Sequence, residues 1–215
     1  MENIILKFKK IDTSIISDAL DKLGLIGQRL GIKSLNPTWK IVGRALTVKY
    51  GPVDIQKGTV GDFIDDVEPG DIIVIDNQGR LDCTVFGDIM TGVAKRRGIA
   101  GTVIDGVCRD TNRTLELDYP MFSTGRYMRT GKDRVQVDAV GEAVSISNIR
   151  VRQGDIIVGD ADGVVVVPKE FEEKILVTAQ EIEAAEELIR AATEKGMRLD
   201  EARKQFKYHS LQTKE

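Results

Sequence analysis

The chain of 215 residues contains one histidine, His209, and two cysteines, Cys83 and Cys108. A single histidine removes histidine-based catalytic triads and multi-histidine zinc sites. Two cysteines do not make a disulfide framework, so both thiols are expected to be packing residues in a reducing cytoplasm. No apolar run approaches the ~18 residues of a membrane span. The opening MENIILKFKK lacks the order of a signal peptide, because its short apolar run is followed by lysines. An excess of basic charge is missing too. With 31 Lys and Arg against 34 Asp and Glu, the net charge is −3, which leaves no broad cationic field for nucleic acid. TGKDR lacks the glycines and the Ser/Thr of a P-loop, and GLIGQRLG lacks dinucleotide-binding spacing. DADG lacks the later ligands of a calcium loop. Any catalysis here falls to carboxylates, arginine and lysine, with or without a metal.

What is present suits a soluble globular protein: 41% hydrophobic and 30% charged residues. The length and the lack of a Pro- or Ser-rich linker predict one domain over 1–215. DTSIISDALDKLG places Ile16, Ala19, Leu20 and Leu23 at helical spacing, with Gly24 as a stop. WKIVGRALTVKY reads as a strand. TVGDFIDDV has helical spacing at Val60, Phe63, Ile64 and Val67. EPGDIIVID reads as a turn and a buried strand. GDIMTGVAKRRG predicts a helix from about Asp88 to Arg97 closed by Gly98, and AGTVID another buried strand. Beyond residue 118 come short strands: DRVQVDA, EAVSISNIRV, GDIIVGD and GVVVVP, with a hairpin turn at GDADG. PGDIIVIDNQG (69–79) echoes QGDIIVGDADG (153–163), as two turn-strand-turn units with the same local needs. Pro168 suits the first position of a helix. From about 169 a C-terminal helical extension carries a stripe of Phe171, Ile175, Ala179, Ile182 and Ile189, stopped by Gly196. A short helix from Asp200 to about Lys207 follows. Alternating helices and strands, then strands alone, predict a three-layer mixed α/β fold with a β-rich side.

Gly70 to Asp110 forms a strand-loop-helix-strand unit. Such a crossover joins parallel strands, so the start of its helix and the end of its second strand share one sheet edge. Asp88 should therefore meet Arg109 and Asp110 at the edge where open α/β sheets bind ligands. Amides near Ile89 and Met90 can cradle a carboxylate or phosphate. Asp110 can hold a hard divalent ion with waters and substrate oxygens. Arg109 can stabilise an oxyanion or enolate, and Asp88 can move a proton directly or through water. Together they suit a reaction through a metal-bound enolate of a 2-oxo acid. Simpler roles fit the same residues: Asp88 and Asp110 as caps, Arg109 in a structural ion pair. Cys108, beside Arg109, reads either as a thiol of lowered pKa or as a buried packing residue.

SDALDKLG, the GD at 87–88, AKRRGIAGTVIDGVCRD across 94–110 and GDADGVVVVP at 159–168 stand in an order that resembles the RraA-like family, from about Ser14 to Arg190. That family includes class II 4-hydroxy-4-methyl-2-oxoglutarate/4-carboxy-4-hydroxy-2-oxoadipate aldolases and the ribonuclease regulator RraA. The resemblance implies a swivelling β/β/α domain with C-terminal helices, assembled as a homotrimer or homohexamer with sites between subunits. It implies Mg2+ or Mn2+ on Asp110, and Arg109 on the pyruvyl oxygens. It also implies proton transfer through Asp88, and backbone amides of Ile89 and Met90 on the substrate carboxylate. A glutamate from a neighbouring subunit's C-terminal helix is implied as well, and Glu186 or Glu187 matches it. The expected activity is metal-dependent lysis of a small 2-oxo acid, by pyruvate-releasing aldol cleavage, oxaloacetate decarboxylation or both. The alternative is a non-catalytic RraA-type regulator that binds a ribonuclease. One position departs from the pattern: where the aldolases carry an acid three residues after the metal-binding Asp, this chain has Arg113. Added positive charge there suits a more anionic substrate or the simpler decarboxylation. Glu116, nearby, is a candidate to compensate it.

Overall fold

The computed structural model describes residues 3–208. His209 lies outside them. Two helices open the fold, α1 (Ile4–Phe8) and α2 (Thr13–Lys22). α2 forms where the spacing predicts, with Ile16, Ala19 and Leu20 buried. α1 is too short to show a period and is not legible in advance. Two-residue strands β1 (Gln28–Arg29) and β2 (Lys33–Ser34) precede the long β3 (Ile41–Pro52). TVGDFIDDV makes only a 3-10 turn at Asp62–Asp66, between Gly61 and the Pro69-Gly70 turn. β4 (Ile72–Thr84) continues well past its expected end at Asp76. Then come α3 (Asp88–Arg96) and β5 (Gly101–Cys108). Next are α4 (Thr111–Glu116) and β6 (Met121–Arg126), neither of which was anticipated. The predicted short strands follow as β7 (Val135–Val140), β8 (Val144–Ile146), β9 (Ile149–Val151), β10 (Ile156–Gly159) and β11 (Val164–Val167). The helices α5 (Glu172–Glu194) and α6 (Leu199–Gln205) complete the described chain.

The main sheet runs β1-β11-β10-β3-β4-β5-β6-β2, with β7 also paired to β3. β3, β4, β5 and β6 are mutually parallel, and the flanking pairs are antiparallel. The sheet is therefore mixed, as expected. Both faces of its centre are covered, which is why IIVI in β4 reads as a continuous apolar run and not an alternation. Ile73 and Ile75 face the side covered by α3, with Leu46, Val48 and Ile104. On the same side, α1, α2 and α5 cover Ile156, Val158, Val165 and Val167. Ile72, Val74 and Val103 face the other way, onto the β8-β9 hairpin through Val144, Ile146, Ile149 and Val151. Hairpin, sheet and helices are the three layers of a β/β/α fold.

The two echoing segments flank β3, one parallel and one antiparallel to it. Each enters its strand through a left-handed glycine, Gly70 and Gly154, both at φ 86. Their likeness is one of local turn chemistry. Pro168 precedes a 3-10 turn at Lys169–Phe171 and not the first turn of α5, which starts at Glu172. That turn swings Phe171 away, leaving it exposed, while Ile175, Ala179, Ile182 and Ile189 are buried as expected.

One buried ion pair ties an edge strand to the centre. Arg29 Nη2 on β1 donates to Asp105 Oδ1 on β5 at 2.7 Å, with the side chains 7% and 4% exposed. Asp105 also accepts from the Ser147 backbone N–H at 2.8 Å, fastening the β8-β9 turn. Removing one partner leaves a buried charge without compensation. We therefore expect Asp105→Ala to cost about 3–5 kcal/mol. Urea denaturation should show a lower midpoint with an unchanged slope, and an unchanged midpoint would refute this role.

Candidate functional site

Gly87 is the N-cap of α3 and Asp88 its first residue, so Asp88 is not the cap. No side chain caps this end, and the free amide of Asp88 instead donates to Asp110 Oδ2 at 3.1 Å. Asp110 reaches it from the far side of the crossover because its own backbone is left-handed, at φ 54. Asp110 occupies the N-cap position of α4, but its side chain caps nothing there. Aspartate tolerates this conformation better than most residues. It turns the carboxylate off α4 and onto the start of α3. Both capping readings of these aspartates therefore give way to one joint contact.

Arg109 completes the group. Its Nε lies 3.2 Å from Asp110 Oδ2, with the two side chains 34% and 35% exposed. The distance is that of an ion pair, but the angle is not that of a hydrogen bond, and Nε is buried with no hydrogen-bond acceptor. The Nε atoms of Arg29 and Arg97 are likewise buried without an acceptor, so this feature alone does not set Arg109 apart. Gly87 makes this approach possible. A Cβ there would stand 2.8 Å from Asp110 Oδ2 and 3.1 Å from Arg109 Nε. The amides of Ile89 and Met90 lie in the first turn of α3, where an α-helix supplies no acceptor, so they stay available to an anion.

Asp88 and Arg109 line a cleft of about 640 Å³ together with Gly87, Ile89 and Met90, while Asp110 stands behind them and is not part of its lining. Two further walls were not legible beforehand: the connection after β3, with Lys57 and Gly61, and the segment before β7, with Thr130 and Lys132. The second is fixed by Thr84, whose N–H donates to the Arg129 carbonyl at 2.9 Å. Neither wall carries a local motif, and only the tertiary pairing brings them here. Arg113 does not line this cleft. It projects from α4 and pairs with Glu116 at 3.1 Å, both exposed, so Glu116 does offset its charge. Glu186 and Glu187 also lie elsewhere in this chain, on α5, each paired with Arg190. Among the described residues no group of three or more His, Cys, Asp or Glu could hold a metal. Cys108 is buried, and burial pushes its thiol pKa up despite the hydrogen bond from Ser123. Its packing role replaces any nucleophilic one.

The family described as RraA-like, Aldolase/RraA, matches residues 13–166. The chain belongs to the RraA-like family. A Halalkalibacterium halodurans member named "Putative 4-hydroxy-4-methyl-2-oxoglutarate aldolase" is 40% identical over 86% of each chain. Legionella pneumophila protein DlpA is 38% identical over 97% of this chain, which spans only 34% of that longer relative. Among solved RraA-like folds, an uncharacterised Pseudomonas syringae protein superposes with TM-score 0.87 at 42% identity, covering 93% of this chain and 96% of its own. Streptomyces coelicolor RraAS2, described as an unusual member of the RNase ES inhibitor RraA family, gives TM-score 0.79 at 28% identity, covering 87% and 95%.

Alanine is compatible with the extended backbone of Gly87, at φ −131 and ψ −170, so Gly87→Ala should fold while pushing Arg109 and Asp110 apart. A crystal structure of the variant that keeps the Asp88 to Asp110 hydrogen bond would contradict this. Both cysteine thiols are buried and shifted upward. They should react with a chromogenic disulfide at pH 8 only slowly until denaturant is added, whereas rapid native labelling would contradict their packing role.

Proposed function

We propose that this RraA-like chain is a divalent-metal-dependent lyase for a small 2-oxo acid. It would cleave a 4-hydroxy-2-oxo acid with release of pyruvate, decarboxylate oxaloacetate, or do both. The observation that carries the reading is the convergence of Arg109 and the Asp110 carboxylate on the first amide of α3, with Asp88 and Arg109 lining the cleft.

Asp110 fits a magnesium or manganese ion. Its Oδ2 is engaged by Asp88 N–H and Arg109, while Oδ1 makes no hydrogen bond among the described residues. One hard carboxylate oxygen, completed by waters and substrate oxygens, is an ordinary arrangement for Mg2+. When bound, the ion supplies Lewis-acid polarisation of the 2-oxo group. The protein does the rest. Amides of Ile89 and Met90 hold the substrate carboxylate at the positive end of α3. Arg109 holds the oxygen on which negative charge develops as the carbon–carbon bond breaks. Asp88 relays a proton between water and the substrate carbon or hydroxyl. Asp88's own N–H is spent on Asp110, which fixes the residue beside the one that would hold the metal. In this reading Glu186 or Glu187 serves a neighbouring subunit's site within a homotrimer or homohexamer, leaving Arg190 to do so.

The name carried by Streptomyces coelicolor RraAS2 favours a second reading, a ribonuclease regulator. It predicts a complex with a ribonuclease that Asp110→Ala leaves intact. The lyase reading predicts that pyruvate release from a panel of 4-hydroxy-2-oxo acids and oxaloacetate stops with a chelator and returns with Mg2+ or Mn2+. Asp110→Ala should abolish turnover, and Arg109→Lys should lower kcat by ~10²–10³ through loss of an aligned oxyanion donor. Turnover indifferent to the chelator would refute it.

A further inference from the structure

The cleft is far roomier than a pyruvyl group requires, and one cation on the wall formed by the connection after β3 is presented in an unusual way. Lys57 sits in the connection after β3, whose backbone is fastened to β7 on both sides of it. Gln136 Oε1 accepts from the Asp54 N–H at 3.1 Å and from the Gly58 N–H at 2.9 Å. Val53 N–H donates to the Arg134 carbonyl at 3.1 Å, and Val137 N–H to the Thr59 carbonyl at 2.9 Å. Gly58 lies flat on the Gln136 side chain, where a Cβ would meet it at 3.3 Å. The backbone on both sides of Lys57 is thus fastened by contacts that do not involve its side chain.

The ammonium, in contrast, is only loosely committed. Lys57 Nζ meets one carboxylate, Asp133 Oδ1, at 2.6 Å, with side chains 67% and 54% exposed. Both residues line the cleft. Exposed pairs of this kind contribute little to stability, so replacing Asp133 by another carboxylate costs little. Asp133 itself is held at a left-handed turn position, φ 62, and stays in place when the lysine changes partner. A rigid base with an exchangeable carboxylate partner is what selection of a second acid group needs, because the ordering cost is met before the ligand arrives.

We propose that Lys57 is a specificity-determining residue: it leaves Asp133 to pair with a distal carboxylate of the substrate, and Gln136 positions the loop that presents it. The proposal rests on the lyase reading, since it assumes that the 2-oxo end of the ligand sits at Arg109. It favours 2-oxo diacids over 2-oxo monoacids.

The test is calorimetric titration of the full-length protein, with Mg2+ present, by 2-oxoglutarate as the diacid probe and pyruvate as the monoacid probe. Loss of one charge-assisted contact should reduce the diacid-to-monoacid affinity ratio by about tenfold in Lys57→Gln. Asp133→Asn frees the lysine and should raise that ratio. An unchanged ratio in Lys57→Gln, or an equal loss for both probes, would overturn the assignment, as would a lowered ratio in Asp133→Asn. These are binding measurements, so they stand apart from turnover. A chelator-insensitive or absent pyruvate release would overturn the reaction and leave the role of Lys57 to be judged on the ratio alone.

Discussion

The hydrogen bond from the Asp88 amide to the Asp110 carboxylate is the constraint on which the site depends. It joins the start of α3 to the end of β5 across the crossover, and it uses a donor that the helix cannot satisfy itself. Three things follow from it. Asp110 must leave the ordinary backbone region to reach the amide. Position 87 must lack a side chain. Arg109, the residue before Asp110, is drawn over the same oxygen but left without a hydrogen bond for its Nε. The result is a carboxylate with one oxygen committed and one free, beside a guanidinium with an unspent donor.

The fold supplies this arrangement through its covered centre. Apolar side chains on both faces of β4 and β5 bury these strands between helices and hairpin. Their shared edge is therefore rigid, and small displacements there are costly. The Arg29–Asp105 pair anchors the same strand four residues before Arg109. The cleft walls are of another kind, loops hydrogen-bonded to β7 and to Thr84. A rigid edge for chemistry beside ordered loops for selection is a common division in α/β proteins.

Much of this was legible in the residues. The crossover rule alone brings Asp88, Arg109 and Asp110 together, because parallel strands joined by a helix must share an edge. Gly98, left-handed at φ 73 just beyond α3, ends the helix as its position suggests. Other features were not legible, for physical reasons. That Gly87 caps while Asp88 does not depends on a carboxylate from elsewhere in the chain. The extension of β4 through NQGRLDCT depends on pairing with β5 across two register shifts, which no local propensity foretells. α4 hid because six residues show no reliable period. Lys57 and Lys132 carry no motif and become neighbours of the site only through tertiary pairing. Arg113, the one departure from the family pattern, pairs with Glu116 on an exposed face of α4, a contact its position in the sequence only suggested.

The central claim is that this edge stabilises negative charge on a 2-oxo acid. Exchange of the pyruvate methyl protons for deuterium in heavy water tests it most directly, because it reads proton removal from the substrate carbon without knowledge of the natural substrate. The account predicts protein-dependent exchange that needs Mg2+ or Mn2+ and stops on chelation. Exchange no faster than in buffer with metal alone would contradict it.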